Sequence, residues 1–337
     1  MKAITYQRYG SPIDVLELTE VEKPIPKERQ VLLKVRAAAV NPADCAAVIG
    51  GVRLAIGLVK PKKDRLGLDV AGQVEAIGPK VTKLKPGDEV FGACIKNIDA
   101  VSQTVWFYDY GSFAEYAITH EDALVLKPEN FTFEQSAAVP SVGWTALQGL
   151  RKFGKIHSGQ KVLISSATGG IGTIAVQIAK AFDTEVTGVC STKNMELVKS
   201  IGADHVIDYT KDDYTKQGQQ YDLIIDSVGE HSFSELMRIL TDKGKVVLVS
   251  RRTKSLDVSG WLSRVLAGTI KSKFVGNKII VDYSRPDNSD LLFLRELMES
   301  GKIIPVIDKN YSGLTEIPQA VQYVAEGHAK GKVVITI

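Results

Sequence analysis

A chain of 337 residues is long enough for about two domains of roughly 150 residues, each with its own core. Its 44% hydrophobic and 24% charged content, with 29 Gly and 12 Pro, excludes a disordered or low-complexity chain. The 42 Lys and Arg against 39 Asp and Glu leave a net charge of +3, and only Lys60-Pro61-Lys62-Lys63 and Arg251-Arg252 cluster, which argues against a nucleic-acid footprint.

Cys45, Cys94 and Cys190 are far apart and odd in number, so a reducing compartment is expected rather than a disulfide framework or a metal knuckle. Met1-Lys2-Ala3-Ile4-Thr5 reads straight into an alternating strand, without a secretory pattern. No apolar run reaches the roughly 18 residues of a membrane helix. The expectation is a cytoplasmic protein with no membrane span.

In chain order, short β-rich runs come first: Val31 to Val35, Gly72 to Ile77, Asp88 to Phe91 and Phe113 to Ile118, punctuated by Pro and Gly. They predict a barrel-like module. Near Asn130 the texture changes, with Thr132-Phe133-Glu134-Gln135-Ser136 reading as a capped helix start. Strands then follow at Lys161 to Ser165, Glu185 to Cys190, Tyr221 to Asp226, Lys245 to Val249 and Lys278 to Asp282, with helical patterns at Ile171 to Phe182 and Phe233 to Leu240. This alternation predicts an α/β module with a doubly wound parallel sheet. A tail with a helix near Leu291 to Ser300, the stretch Pro305 to Asp308, a helix near Ile317 to Gly327 and a strand Lys332 to Ile337 is too short for its own core and is expected to return to the first module. The expected domains are 1–125, 126–284 and 285–337.

The strand ending at Ser165 runs through Ser166-Ala167-Thr168-Gly169-Gly170-Ile171-Gly172 into the apolar helix that starts at Thr173. A glycine-rich turn in that context lets a pyrophosphate approach backbone N–H groups at a helix N-terminus, so Ala167, Thr168, Gly169, Gly170 and Ile171 are candidate dinucleotide contacts. The same turn could instead serve only tight helix–strand packing. Where an NAD site carries a carboxylate, the second strand here ends in Cys190-Ser191-Thr192-Lys193. A Ser191 hydroxyl and a Lys193 charge suit a 2′-phosphate and hence NADPH. Alternatively Ser191 caps the next helix and Lys193 is solvated.

Taken with Val40-Asn41-Pro42-Ala43-Asp44, Gly67-Leu68-Asp69-Val70-Ala71-Gly72, Lys85-Pro86-Gly87-Asp88, Gly111-Ser112-Phe113-Ala114-Glu115-Tyr116, Gly143-Trp144-Thr145-Ala146 and His328-Ala329-Lys330-Gly331-Lys332-Val333-Val334, the chain resembles the medium-chain dehydrogenase/reductase superfamily. Within it, the resemblance is to the zinc-independent quinone oxidoreductase and alkenal/enone reductase branch, along essentially the whole chain. It implies a GroES-like β-barrel beside a Rossmann sheet. Asn41 and Leu68 stand where zinc-dependent members carry Cys and His, which implies no catalytic zinc.

The resemblance also implies roles for single positions. Asn41 holds the cofactor or substrate oxygen by its amide, and Asp44 and Asp69 organise the surrounding hydrogen bonds, although Asp69 could be purely structural. Thr145, Tyr209, Val249 and Ile280 are implied cofactor contacts. Lys332 aligns with a basic residue that touches the pyrophosphate, or is ordinary surface charge. Tyr108 is a candidate proton donor, with Tyr110 beside it; the loop could also simply pack on the barrel and solvent supply the proton. A homodimer is implied through the edge strand Asn277 to Tyr283, whose apolar edge is hazardous if left open. The function so implied is NADPH-dependent hydride transfer to quinones or to the C=C bond of α,β-unsaturated carbonyls. The alternatives are an enoyl-thioester reductase and, from another class, a non-catalytic nucleotide-binding or RNA-binding scaffold.

Overall fold

The computed structural model describes residues 1–95, 111–249, 278–281 and 284–337. Its strands are β1 (Lys2–Thr5), β2 (Glu17–Glu20), β3 (Gln30–Val40), β4 (Asp69–Ile77), β5 (Glu89–Ala93), β6 (Tyr116–His120), β7 (Leu124–Leu126), β8 (Lys161–Ile164), β9 (Glu185–Cys190), β10 (His205–Asp208), β11 (Tyr221–Asp226), β12 (Leu240–Leu248), β13 (Ile279–Val281), β14 (Ile307–Ser312) and β15 (Lys332–Thr336). They fall in two compact units, one of residues 1–141, 285–299 and 305–337, the other of residues 142–284 and 300–304.

In the first unit, β14, β15, β3, β4, β5 and β7 follow one another in a seven-stranded sheet, with β6 paired on β3, while β1 and β2 form a separate hairpin. The alternation along Val31, Leu33 and Val35 faces Val70, Val74 and Val90 in a buried core. Two differences from the sequence pattern have physical causes. Phe113 and Ala114 pair with β1 rather than with β3, through Ile4 N–H to the Phe113 carbonyl at 2.9 Å, so the strand proper begins at Tyr116. The stretch expected only at Pro305 to Asp308 continues as β14, whose polar Asp308-Lys309-Asn310 disguises an edge strand lying parallel to β15.

The change of unit comes after Ser141, later than residue 125. The helix Phe133–Ala137, capped reciprocally by Thr132 and Gln135, packs on β3, β4 and β15, and Glu134 accepts a hydrogen bond from Thr336 Oγ1 at 2.9 Å. Its apolar face is therefore used by the barrel side. Residues 300–304 lie with the second unit because the Gln177 amide donates to the Ile304 carbonyl at 3.0 Å and accepts from the Ile304 N–H at 2.8 Å.

The second unit carries a six-stranded sheet in the order β10-β9-β8-β11-β12-β13, with every neighbouring pair parallel. Near-continuous apolar strands such as Leu223-Ile224-Ile225, all fully buried, require cover on both faces. The order runs outward from β8 one way and from β11 the other, so the winding reverses between them. That reversal is where such sheets bind ligands, beyond the carboxyl ends of the strands.

Candidate active site

At the carboxyl end of β8, Ser166 takes a left-handed backbone (φ 52°) and the helix Gly170–Ala181 starts with Gly169 as its cap. Gly172 is required by contact: a Cβ there would lie 2.1 Å from the Ser166 carbonyl oxygen and 2.8 Å from Ala167 Cα. The helix thus leans directly on the turn, and the N–H groups of its first turn have no carbonyl of their own helix to bond. Ala167, in place of a first glycine, is fully buried and donates its N–H to the Val189 carbonyl at 2.9 Å. Gly188 on β9 makes room for its methyl, since a Cβ on Gly188 would sit 3.0 Å from Ala167 Cβ. Thr168, Gly169, Gly170 and Ile171 are all partly exposed. On the other side of the reversal, Asp226 Oδ1 accepts from Ser165 Oγ at 3.1 Å and from the N–H groups of Val228 and Gly229, tying the ends of β8 and β11 together.

Ser191 and Lys193 follow β9, and Tyr209 follows β10; the register pairs Asp208 with Cys190, and Tyr209 N–H donates to the Cys190 carbonyl at 3.0 Å. The three residues therefore lie at neighbouring strand ends. Lys193 is exposed and Tyr209 is 54% exposed. Ser191 makes no side-chain cap to the turn Thr192–Asn194 and instead accepts from Asn194 Nδ2 at 3.2 Å, which leaves its hydroxyl hydrogen for another acceptor. Asp208, held below the usual carboxylate range by hydrogen bonds from Thr192 and Thr210, anchors that turn to β10.

In the first unit the strand registers gather a second cluster. Ala39 opposes Asp69 across β3 and β4, and Val40 opposes Val333 across β3 and β15, so Asn41, Asp69 and Lys332 emerge side by side. Lys332 Nζ donates to Asn41 Oδ1 at 2.5 Å and to Asp69 Oδ2 at 3.1 Å. Ser141 Oγ lies 2.9 Å from Asn41 Oδ1 and 2.6 Å from Asp69 Oδ2, and the Ser141 N–H donates to Asp69 Oδ1 at 3.0 Å. Asn41 Nδ2 donates to Asp69 Oδ2 at 3.0 Å. Asn41, Asp69 and Lys332 are all buried, Lys332 to 4% exposure, a cost that the close ion pair and shared hydrogen bonds offset.

Asp44, one turn into the helix Pro42–Val48, accepts from the Asn41 N–H at 2.9 Å and the Gly67 N–H at 3.0 Å. Burial pushes its carboxyl up to about 6 in spite of these bonds. Gly67 has φ 91°, and a Cβ there would lie 2.3 Å from Ser112 Oγ.

The structure thus joins Asn41, Asp44 and Lys332 in one network, and Ser191, Lys193 and Tyr209 at adjacent strand ends. Lys332 is not surface charge: register puts it inside the sheet edge, and its ammonium is taken up by Asn41 and Asp69. The Asn41 amide oxygen is likewise occupied from within. Thr145 is buried in the helix Pro140–Leu147. Val249 is buried and donates to the Asp226 carbonyl at 3.0 Å, whereas Ile280 opposes Val247 on the outer strand β13. Tyr108 and Tyr110, and Asn277, Asp282 and Tyr283 of the expected edge, lie outside the described residues. Ser141 was invisible to sequence reasoning, being 100 residues from Asn41 and part of no spacing motif. Among the described residues, no three His, Cys, Asp or Glu side chains gather as a metal ion would need, and no helix is long and apolar enough to cross a membrane.

Two families match the chain: an alcohol dehydrogenase GroES-like domain at residues 27–129 and a zinc-binding dehydrogenase at residues 201–335. A 2-methylene-furan-3-one reductase of Solanum lycopersicum is 36% identical over 99% of this chain and 79% of its own length. A chloroplastic NADPH-dependent alkenal/one oxidoreductase of Arabidopsis thaliana is 34% identical over the same shares. The solved quinone oxidoreductase of Coxiella burnetii superposes with a TM-score of 0.82 at 28% identity, covering 100% of this chain and 99% of that one. The chain therefore belongs to the medium-chain dehydrogenase/reductase superfamily, among the quinone and alkenal/one oxidoreductases.

Proposed function

We propose that this chain is an NADPH-dependent oxidoreductase that transfers hydride to quinones or to the C=C bond of α,β-unsaturated carbonyls, and that it does so without zinc. The observation that carries this reading is the glycine turn at the winding reversal, flanked by Ser191, Lys193 and Tyr209 with no carboxylate closing β9. The turn and the helix N-terminus suit a pyrophosphate, Ser191 and Lys193 a 2′-phosphate, and Tyr209 an adenine face. Thr145, Val249 and Ile280 complete the proposed cofactor contacts. When bound, NADPH supplies a hydride.

The protein's own task is then to hold the acceptor and stabilise the negative charge that hydride arrival drives onto its oxygen, until a proton from Tyr108 or water reaches the α-carbon of an enone or the oxygen of a quinone. Asn41 is the proposed donor to that oxygen, with Asp44 fixing the Asn41 backbone and Tyr108 as a proposed proton donor. Zinc takes thiolate, imidazole or carboxylate ligands. Asn41 and Ser141 offer an amide and a hydroxyl, and the Lys332 ammonium 2.5 Å from Asn41 Oδ1 adds a positive charge; these groups do not fit zinc.

The test is NADPH oxidation with an enone, a quinone and a crotonyl thioester under one condition. Turnover of the first two supports the reading, preference for the thioester favours an enoyl reductase, and no turnover across a broad panel favours a scaffold. Three buried free thiols suit a reducing compartment, and a cytoplasmic site belongs to the proposal. So does a homodimer through β13, the outer strand of the second sheet. A monomer throughout a light-scattering dilution series would refute the dimer.

A further inference from the structure

Lys332 is a buried ammonium whose chemistry exceeds what packing asks of that position. An ammonium carries three hydrogens. Two are held, by Asn41 Oδ1 at 2.5 Å and Asp69 Oδ2 at 3.1 Å. The amide of Asn41 is in turn locked: with a cation on its oxygen, it cannot rotate to exchange Oδ1 and Nδ2 without setting an N–H against an ammonium. One Nδ2 hydrogen goes to Asp69, and the other has only the Ala39 carbonyl at 3.5 Å, the outer limit of a hydrogen bond. The cluster therefore keeps one poorly held amide hydrogen, on a group whose oxygen is polarised by a positive charge.

We propose that Lys332 is a positioning residue for hydride transfer: by gripping Asn41 Oδ1 it fixes the amide so that this Nδ2 hydrogen remains for the substrate oxygen, and its charge strengthens that donor as the oxygen becomes anionic. Asp69 balances the ammonium and holds the other Nδ2 hydrogen, and Ser141 braces both. The pyrophosphate contact expected at Lys332 is replaced by a role carried through Asn41. The inference rests on the proposed reductase reading.

The test compares the full-length protein with Lys332→Met, Lys332→Arg and the charge-balanced Lys332→Met/Asp69→Asn. Removing a well-placed donor from a developing oxyanion typically costs about 100-fold or more in kcat. Lys332→Met is expected to lose about that in kcat on an enone, with NADPH affinity within about twofold, and Lys332→Arg to recover part of it. The double variant is expected to regain the melting temperature and not the kcat, because no buried charge is left unpaired yet the amide is no longer gripped.

Recovery of kcat in the double variant would make the pair merely structural and overturn the inference. Weakened NADPH binding with kcat unchanged at saturation would return Lys332 to the pyrophosphate. The side-chain amide resonances of Asn41, followed in asparagine-labelled protein, give a readout independent of turnover. They should shift in Lys332→Met, and unchanged resonances would overturn the inference. Should the unmodified protein reduce neither enones nor quinones, the function reading falls while the resonances still decide the grip on Asn41.

Discussion

Replacing Gly172 by alanine tests how the proposed cofactor turn is built. The added Cβ would sit 2.1 Å from the Ser166 carbonyl oxygen, about 1.3 Å inside the 3.4 Å at which ordinary contact begins, and 2.8 Å from Ala167 Cα. Both are backbone atoms of a turn that Ala167 N–H pins to Val189, so relief requires the helix Gly170–Ala181 to move off the sheet. Overpacking of this kind costs about 3 kcal/mol, which at roughly 2–4 °C per kcal/mol lowers the melting temperature by about 6–12 °C. Gly169→Ala is the matched control. Its Cβ meets Ser166 Oγ at 3.3 Å and the Ser166 carbonyl oxygen at an ordinary 3.6 Å, and its φ of −77° suits any residue. It should melt within about 2 °C of the unmodified protein. Its methyl nevertheless covers backbone that a pyrophosphate must approach, so NADPH affinity should fall about tenfold or more. Thermal unfolding with and without NADPH, followed by fluorescence titration, reads both effects. A Gly172→Ala protein as stable as the parent would refute the packing argument.

Lys193→Ala should weaken NADPH about tenfold and leave NADH unchanged in the same titration, since only NADPH brings a 2′-phosphate to that charge; equal losses would sink the assignment. Asp44, raised to about 6 by burial, contributes stability that is full below its unfolded value and is lost as pH rises through about 6. Relative to Asp44→Asn, the parent should therefore gain about 1.4 kcal/mol in urea unfolding between pH 7.5 and pH 5. Glu121 behaves oppositely: burial works to raise its carboxyl, but hydrogen bonds from Arg29 and from the N–H groups of Thr82 and Lys83 outweigh it and hold it low. Its stabilisation is present above its unfolded value and lost as pH falls through the lowered one. Glu121→Gln should cost about 1–2 kcal/mol at pH 7, below the range for a fully buried pair because the Arg29 side chain stays 42% exposed, and the deficit should vanish in acid.

The proposed cofactor turn of the second unit was legible because its signals are local. A glycine turn between a β-branched strand and an apolar helix, and a strand that ends in Cys190-Ser191 rather than a carboxylate, are contiguous in the chain. Backbone geometry at such turns follows from adjacent residues. The same locality explains Thr132 and Gln135 as a reciprocal cap. Where the pattern was polar, as in β14, or where a strand changed partners, as at Phe113, adjacency carried no information about pairing.

By itself the sequence determined the α/β alternation, the position of the glycine turn, the charge at Lys193 and the absence of thiolate and imidazole at Asn41 and Leu68. Only the tertiary structure decided what Lys332 touches. Its ammonium meets Asn41 across 291 positions and Asp69 across 263, and Ser141 joins them across 100 and 72. These contacts exist because β15 lies antiparallel to β3 in one register, with Val333 against Val40. A shift of one residue would turn the Lys332 side chain to the other face of the sheet. Pairing register is a property of the whole sheet's core, and no segment read alone contains it.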